Sequence, residues 1–306
     1  MDPTPTSELV EHLVEFYEAV AEEYEAWASN LHRKVAERLA EFIEPRPGEC
    51  VLDVGTGTGL VAHFLAARVG DEGLVVGIDL SERMLEVARR RGGSNSRFIG
   101  MAAENLVFRD ETFDVVTMGE SLAYLLDPLR SLREARRVLK PGGRIGVSCH
   151  RRSLNTEAQE VFFSTLGPLA RRHHLHLPRY SDERAVFGER EVLPGLLEQA
   201  GFTDVKLTEL VTGGRAPDAR AWTQLMAGAG PLPHTLISVL GPEPRREYEE
   251  ELDARMRQLG EDAYRYHHAF VFAMGRRPLE GAGGEGAGRN GEGPESHPLA
   301  NGGPPD

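Results

Sequence analysis

The sequence predicts an α/β fold built on a doubly wound, mostly parallel sheet. Two observations carry that reading. Short apolar runs alternate with amphipathic helical stretches between Cys50 and Cys149, which is the pattern of a buried parallel sheet covered by helices. The first run, Cys50-Val51-Leu52-Asp53-Val54, ends in glycines at alternate positions, Gly55-Thr56-Gly57-Thr58-Gly59, before Leu60, Val61, Phe64 and Leu65 resume at helical spacing.

Composition sets the outer limits. The 306 residues are 40% hydrophobic and fit a globular α/β protein, and no apolar run approaches the roughly 18 residues a bilayer requires. A net charge of −13 argues against a nucleic-acid partner. Met1-Asp2-Pro3-Thr4-Pro5 has neither the basic nor the apolar region of an export signal. Cys50 and Cys149 both fall in expected buried strands, as small apolar packers in a reducing compartment. The expected location is cytoplasmic, and the oligomeric state is open.

Taken in order, a first helix starts near Thr6 or Ser7 and carries a stripe of Leu9, Leu13, Phe16, Tyr17, Val20, Tyr24 and Trp27. Core packing accounts for the stripe; the sharper alternative has Tyr17 or Tyr24 closing over a ligand. Leu31, Val35, Leu39, Phe42 and Ile43 make a second helix, stopped by Pro45, Pro47 and Gly48. The glycine turn follows. Glycines let backbone N–H groups approach a ligand closely, and the helix start adds unpaired N–H groups. A dinucleotide asks for G-x-G-x-x-G, and Gly59 stands one place too early for it.

Leu74-Val75-Val76-Gly77-Ile78-Asp79 is the second strand, with Asp79 where a nucleoside's ribose hydroxyls need an acceptor. Its other possible job, capping the next helix, suits Ser81 better. The third strand lies near Arg97–Gly100. The fourth, Asp114–Met118, runs into Gly119-Glu120-Ser121. Two roles stand for Glu120: contact with the ligand or acceptor at the sheet's C-terminal edge, or an acid at a helix start. Asp127-Pro128 caps a helix to Leu139, and Lys140-Pro141-Gly142-Gly143 turns into the fifth strand, Arg144–Cys149, with His150 directly after it. His150 is a candidate general base, as is the cluster His173, His174 and His176. No carboxylate or cysteine stands at metal-ligand spacing from that cluster, so no metal is expected.

These segments together resemble the class I S-adenosylmethionine (SAM) dependent methyltransferases, of the UbiE-like small-molecule type. Val51 to Gly59 is similar to that family's first motif, Asp79-Leu80-Ser81-Glu82-Arg83-Met84-Leu85 to its second, and Leu139-Lys140-Pro141-Gly142-Gly143 to its third. Ala103–Val116 resembles D-A-E-x-L-P-F-x-D-x-x-F-D-x-V, and Tyr17–Tyr24 resembles an N-terminal Y-x-x-x-A-x-x-Y element. The resemblance implies a Rossmann-like fold with SAM as cofactor. Its implied binding residues are Tyr17, Tyr24, Asp53, Gly55, Thr56, Gly57, Gly59, Asp79 on the ribose, Leu80 against the adenine, Ala102, Ala103 and Glu120. Ala102 departs from the pattern, since many relatives have an acid there for the adenine amine. Glu104 is expected as a solvent-facing neighbour. The Glu198–Phe202 step and the run His268–Gly275 resemble the family's antiparallel closing strands.

The expected organisation is N-terminal helices over residues 1–48 and a SAM-binding domain over 49–275. A helical lid is inserted at about 213–262, and a Gly/Pro-rich disordered tail fills 276–306. The implied activity is methyl transfer to a small, apolar or aromatic metabolite, with His150 and Glu120 as catalytic candidates. Two other classes compete. A nicotinamide oxidoreductase is disfavoured by the glycine spacing. A non-catalytic SAM-binding module draws its best support from Ala102.

Overall fold

A computed structural model describes residues 5–22, 24–151, 155–174, 186–228 and 231–279. Seven strands form one sheet: β1 (Cys50–Val54), β2 (Leu74–Asp79), β3 (Ser96–Gly100), β4 (Phe113–Gly119), β5 (Leu139–His150), β6 (Thr203–Arg215) and β7 (Arg265–Arg276). Their order is β3-β2-β1-β4-β5-β7-β6. The first five run parallel, and β7 is antiparallel to both β5 and β6. From β1 the chain builds outward one way through β2 and β3, then returns to build the other way through β4 and β5. That reversal leaves a crevice at the C-terminal ends of β1 and β4, the place where open α/β sheets bind ligands.

Both faces are covered. Val51, Val75, Leu65, Ile43 and Phe98 belong to one apolar layer, under α2 (Tyr24–Phe42), α3 (Leu60–Val69) and α4 (Glu82–Arg91). Leu52, Phe113, Leu132, Leu197 and Phe202 belong to the other, under α5 (Pro128–Val138) and α7 (Val192–Gln199). Val51 and Leu52 fall on opposite sides because successive strand residues alternate. Ser81 Oγ accepts the Met84 N–H at 3.2 Å and caps α4, and Asp127 Oδ1 accepts the Arg130 N–H at 3.0 Å at the start of α5.

The structure differs from expectation in four places. The N-terminal stripe is two helices, α1 (Pro5–Val20) and α2, broken at Ala21-Glu22, so Tyr17 and Tyr24 face one another across a corner. β5 begins at Leu139 and takes in the Pro141-Gly142-Gly143 turn. Arg276 closes β7, and Arg277 is tied down by its N–H to Gly143 O at 2.8 Å and its guanidinium to Leu139 O at 2.5 Å. The rest of the expected tail, 280–306, lies outside the described residues. The fourth difference concerns the insertion. α8 (Ala219–Ala227), α9 (Pro231–Ser238) and α10 (Pro242–Met256) pack with α6 (Glu157–Arg172), which reading by motif had not joined to them. Phe162, Leu166, Trp222, Tyr248 and Leu252 give this group a core of its own.

Candidate functional site

The three turn glycines do different work. A Cβ on Gly55 would lie 2.4 Å from Ser121 Cβ, and one on Gly59 would lie 3.1 Å from Ala88 Cβ; both are glycine because the protein itself packs there. Gly57 has φ +53° and nothing within 4 Å of a Cβ position, so it faces open space. Its N–H donates to Asp79 Oδ2 at 2.8 Å, and the Ser81 N–H donates to Asp79 Oδ1 at 2.9 Å. Burial raises the Asp79 carboxyl, and these backbone donors hold it back.

Asp53 supports the turn from below. It is 1% exposed, and its two oxygens accept from Thr56 Oγ1 and Thr117 Oγ1, both at 2.7 Å. Desolvation lifts its carboxyl to about 6. Thr56 also anchors the turn by donating its N–H to Ile78 O at 2.9 Å. Leu80, just past β2, is 48% exposed; past β3, Ala102 is half-buried and Ala103 buried, and the Met101 N–H donates to Asp79 O at 3.0 Å to join the two strand ends. Glu104 is not the solvent-facing group expected. It is half-buried, and its Oε1 accepts the Leu126 N–H at 2.7 Å, fixing the loop before α5.

The N-terminal helices roof this cradle. Ser81 Oγ donates to Glu18 Oε1 at 3.1 Å, and Arg90 donates to Glu22 at 2.6 and 2.7 Å, which docks α1 on α4. Above them the Tyr17 ring lies 6.0 Å from Tyr24 and 6.2 Å from Tyr124. The Tyr24 phenol is raised by burial, then by Tyr124, Glu120 and Asp79, so it stands within the field of both carboxylates.

Glu120 directly follows β4 in the left-handed region at φ 55°, a conformation a non-glycine residue holds only when its surroundings impose it. Its N–H donates to Ser148 O at 3.1 Å. Burial pushes the carboxyl up to about 7, against hydrogen bonds from the Ser148 side chain and the His150 backbone. Oε1 is buried and has no hydrogen-bond partner. The His150 ring lies 5.2 Å from Phe270 and 6.0 Å from His268. His268 was not singled out by sequence reasoning. The signal was the two-residue alternation of β7, which puts it on the same side as Phe270 and Phe272.

The remaining histidines are elsewhere. His173 Nε2 pairs with Glu247, and Arg172 donates to Glu251 at 2.7 Å, tying α6 to α10. His174 is exposed, and His176 lies outside the described residues. Among the described residues, no three His, Cys, Asp or Glu side chains are grouped to hold a metal ion.

The sequence pattern of the ubiE/COQ5 methyltransferase family matches residues 7–222. The chain belongs to the ubiE/COQ5 methyltransferase family. A ubiquinone/menaquinone biosynthesis C-methyltransferase of Vibrio parahaemolyticus is 30% identical over 223 residues, 68% of this chain and 86% of that protein. A demethylmenaquinone methyltransferase of Symbiobacterium thermophilum is 38% identical over 152 residues, 46% of this chain and 60% of that one. A nocamycin O-methyltransferase of Saccharothrix syringae is 41% identical over 138 residues, covering 43% and 49%. Among solved structures, the YcgJ protein of Bacillus subtilis superposes with a TM-score of 0.53 at 18% identity, covering 80% of this chain and 98% of that one, which shows the fold.

This chain is therefore a SAM-dependent methyltransferase acting on a small molecule. Its residues fit the cofactor. Gly57 opens onto free space, and Asp79 keeps lone pairs beyond its two backbone bonds. Among the described residues, no helix is long and apolar enough to cross a membrane.

Proposed function

We propose that the enzyme methylates a small hydroxylated ring, such as a phenol, a hydroquinone or an enol, and that Glu120 takes the proton the acceptor gives up. The observation that carries this reading is the buried Glu120 carboxyl, just past the C-terminal end of β4, with one oxygen unmatched. A carboxyl raised to about 7 is poised to accept a proton near neutral pH. The bound cofactor supplies an activated methyl carbon on a sulfonium. The acceptor O–H proton would move to Glu120 Oε1, and the electron pair left on oxygen, or relayed to the ring carbon beside it, would take the methyl as the methyl–sulfur bond breaks. After attack by carbon, the C–H proton at that position is lost to water and the ring is restored. S-adenosylhomocysteine leaves.

The other residues hold and exclude. Gly57 and Asp79 take the cofactor's nucleoside, with Asp79 on the ribose hydroxyls, and Leu80 with Ala103 flanks the adenine. Tyr17, Tyr24 and Tyr124 shut water out above the reacting atoms. The α8–α10 helices act as the lid on the acceptor. Relatives named for carbon and for oxygen methylation are both in keeping with a deprotonated ring hydroxyl as the common nucleophile. Two free cysteines suit a reducing, cytoplasmic setting.

The test is a set of naphthols and hydroquinones, offered with methyl-labelled SAM beside their O-methyl ethers. Transfer to the free hydroxyl compounds alone is expected. Equal transfer to the ethers would overturn the reading.

A further inference from the structure

Ser148 places a hydroxyl on β5 where the surroundings suit an apolar side chain. It is fully buried, and its register partners are Gly119 on β4 and Phe272 on β7. Phe272 belongs to an apolar cluster with Val35, Leu39 and Phe270. A hydroxyl buried in such company costs stability unless it is hydrogen-bonded. Its bonds lead to one residue. Ser148 Oγ accepts the Glu120 N–H at 3.1 Å, and the same side chain hydrogen-bonds the Glu120 carboxyl.

The two bonds close a ring on Glu120, with its main chain at one end and its carboxyl at the other. Glu120 leaves β4 in the left-handed region, so regular strand geometry does not fix where its side chain goes. Its N–H also reaches Ser148 O at 3.1 Å, which ties the backbone to β5 independently of the hydroxyl. What the hydroxyl adds is its hold on the carboxyl. It commits part of that group to the protein and leaves Oε1 buried and unmatched.

We propose that Ser148 is the positioning residue for the base, its hydroxyl holding the Glu120 carboxyl so that Oε1 is presented to the acceptor's O–H. The proposal rests on the role given to Glu120 above. A donor on a carboxylate favours the ionised form, so Ser148 opposes the burial that pushes Glu120 up to about 7. Tyr24 on α2 and Cys149 on β5 stand within the field of Glu120, and burial raises both, which keeps them neutral. Tyr124 and Asp79 bear on Tyr24 as well. His150 follows on β5 and bonds the carboxyl through its backbone; His268 on β7, 6.0 Å from the His150 ring, is pushed down to about 4 by burial.

The experiment titrates the full chain, saturated with S-adenosylhomocysteine, by difference infrared spectroscopy. It reads the C=O band of a protonated carboxyl that Glu120→Gln lacks, so titration of the His150 ring contributes no band of its own. Wild type should titrate near 7. Ser148→Ala should titrate about one to two pH units higher, the scale of one hydrogen bond to a charged group. Its S-adenosylhomocysteine affinity should stay within about threefold of wild type, because the hydroxyl serves the base and not the cofactor turn. Ser148→Thr, which keeps the hydroxyl, should remain within about 0.3 units of wild type. Ser148→Cys, a weak donor, replaces it if the added methyl is not accommodated beside Phe272, and should fall between the two. The acid limb of kcat/KM for 1-naphthol should move with the infrared midpoint in each variant. An Ala midpoint equal to wild type, or a Thr midpoint as high as that of Ala, overturns the positioning role and leaves Glu120 as the base. A limb that stays in place while the midpoint moves overturns the base, and the positioning role with it.

Discussion

The crevice has two halves, and they differ in how their polar groups are satisfied. In the cofactor half, Asp53 has both oxygens matched by threonines and Asp79 has both matched by backbone N–H groups. In the acceptor half, Glu120 Oε1 is buried and unmatched. The first half is rigid before any ligand arrives, so binding there requires little reorganisation. The second holds the Glu120 carboxyl oxygen in reserve for the molecule that is chemically altered. The cofactor is constant across this chemistry and the acceptor is not, so pre-satisfaction belongs on one side and open valence on the other.

The largest expected effect lies in the rigid half. Gly57→Val should abolish measurable S-adenosylhomocysteine binding, because its side chain enters the space that the ligand needs. The fold should survive with a loss of about 1–2 kcal/mol from the positive φ, since no protein atom stands in the way. Gly55→Val should instead fail as a fold, because its Cβ would meet Ser121 at 2.4 Å. Calorimetry beside thermal melts separates the two. If Gly57→Val binds normally, the cofactor does not cross this turn.

Asp79→Ala comes next, with a loss of about 1.5–3 kcal/mol in cofactor affinity, roughly ten- to a hundredfold. Glu104→Ala should change affinity far less, since Glu104 serves the loop at Leu126. Equal losses would mean that Asp79 only braces its neighbours. A pH profile addresses the other half. With the Glu120 carboxyl near 7, kcat/KM should fall as pH drops through about 7 and the base becomes protonated. Stability should move the opposite way. A carboxyl raised in the folded state binds its proton more tightly there, so its contribution is full below about 4.5 and is lost as pH climbs toward 7. Glu120→Gln should flatten both curves, and a stability slope unchanged by it would contradict the assignment. The smallest effect is Ala102→Asp, which should leave SAM affinity unchanged or slightly tighter; a clear loss would misplace the adenine seat.

The same contrast explains what was legible in the sequence. Gly55, Gly57, Gly59 and Asp79 lie within a single strand–helix–strand unit, so spacing alone indicated their shared role. Ser81 was readable as the α4 cap for the same reason. Glu120, His150 and His268 come from the loop after β4, from β5 and from β7. Only tertiary register brings a residue near position 268 beside one near position 150. The link between α6 and the later helices was hidden likewise, because helix–helix packing across about 60 residues leaves no local signal. The break at Ala21-Glu22 was missed because the apolar stripe continues through it in period.

The most direct measurement pairs cofactor affinity with single-turnover methyl transfer in Glu120→Gln. A base on the acceptor side predicts S-adenosylhomocysteine affinity within about threefold of wild type and a transfer rate lower by at least about a hundredfold. If affinity falls by the same factor as the rate, Glu120 holds the cofactor instead, and the division of the crevice into a satisfied half and a reserved half is wrong.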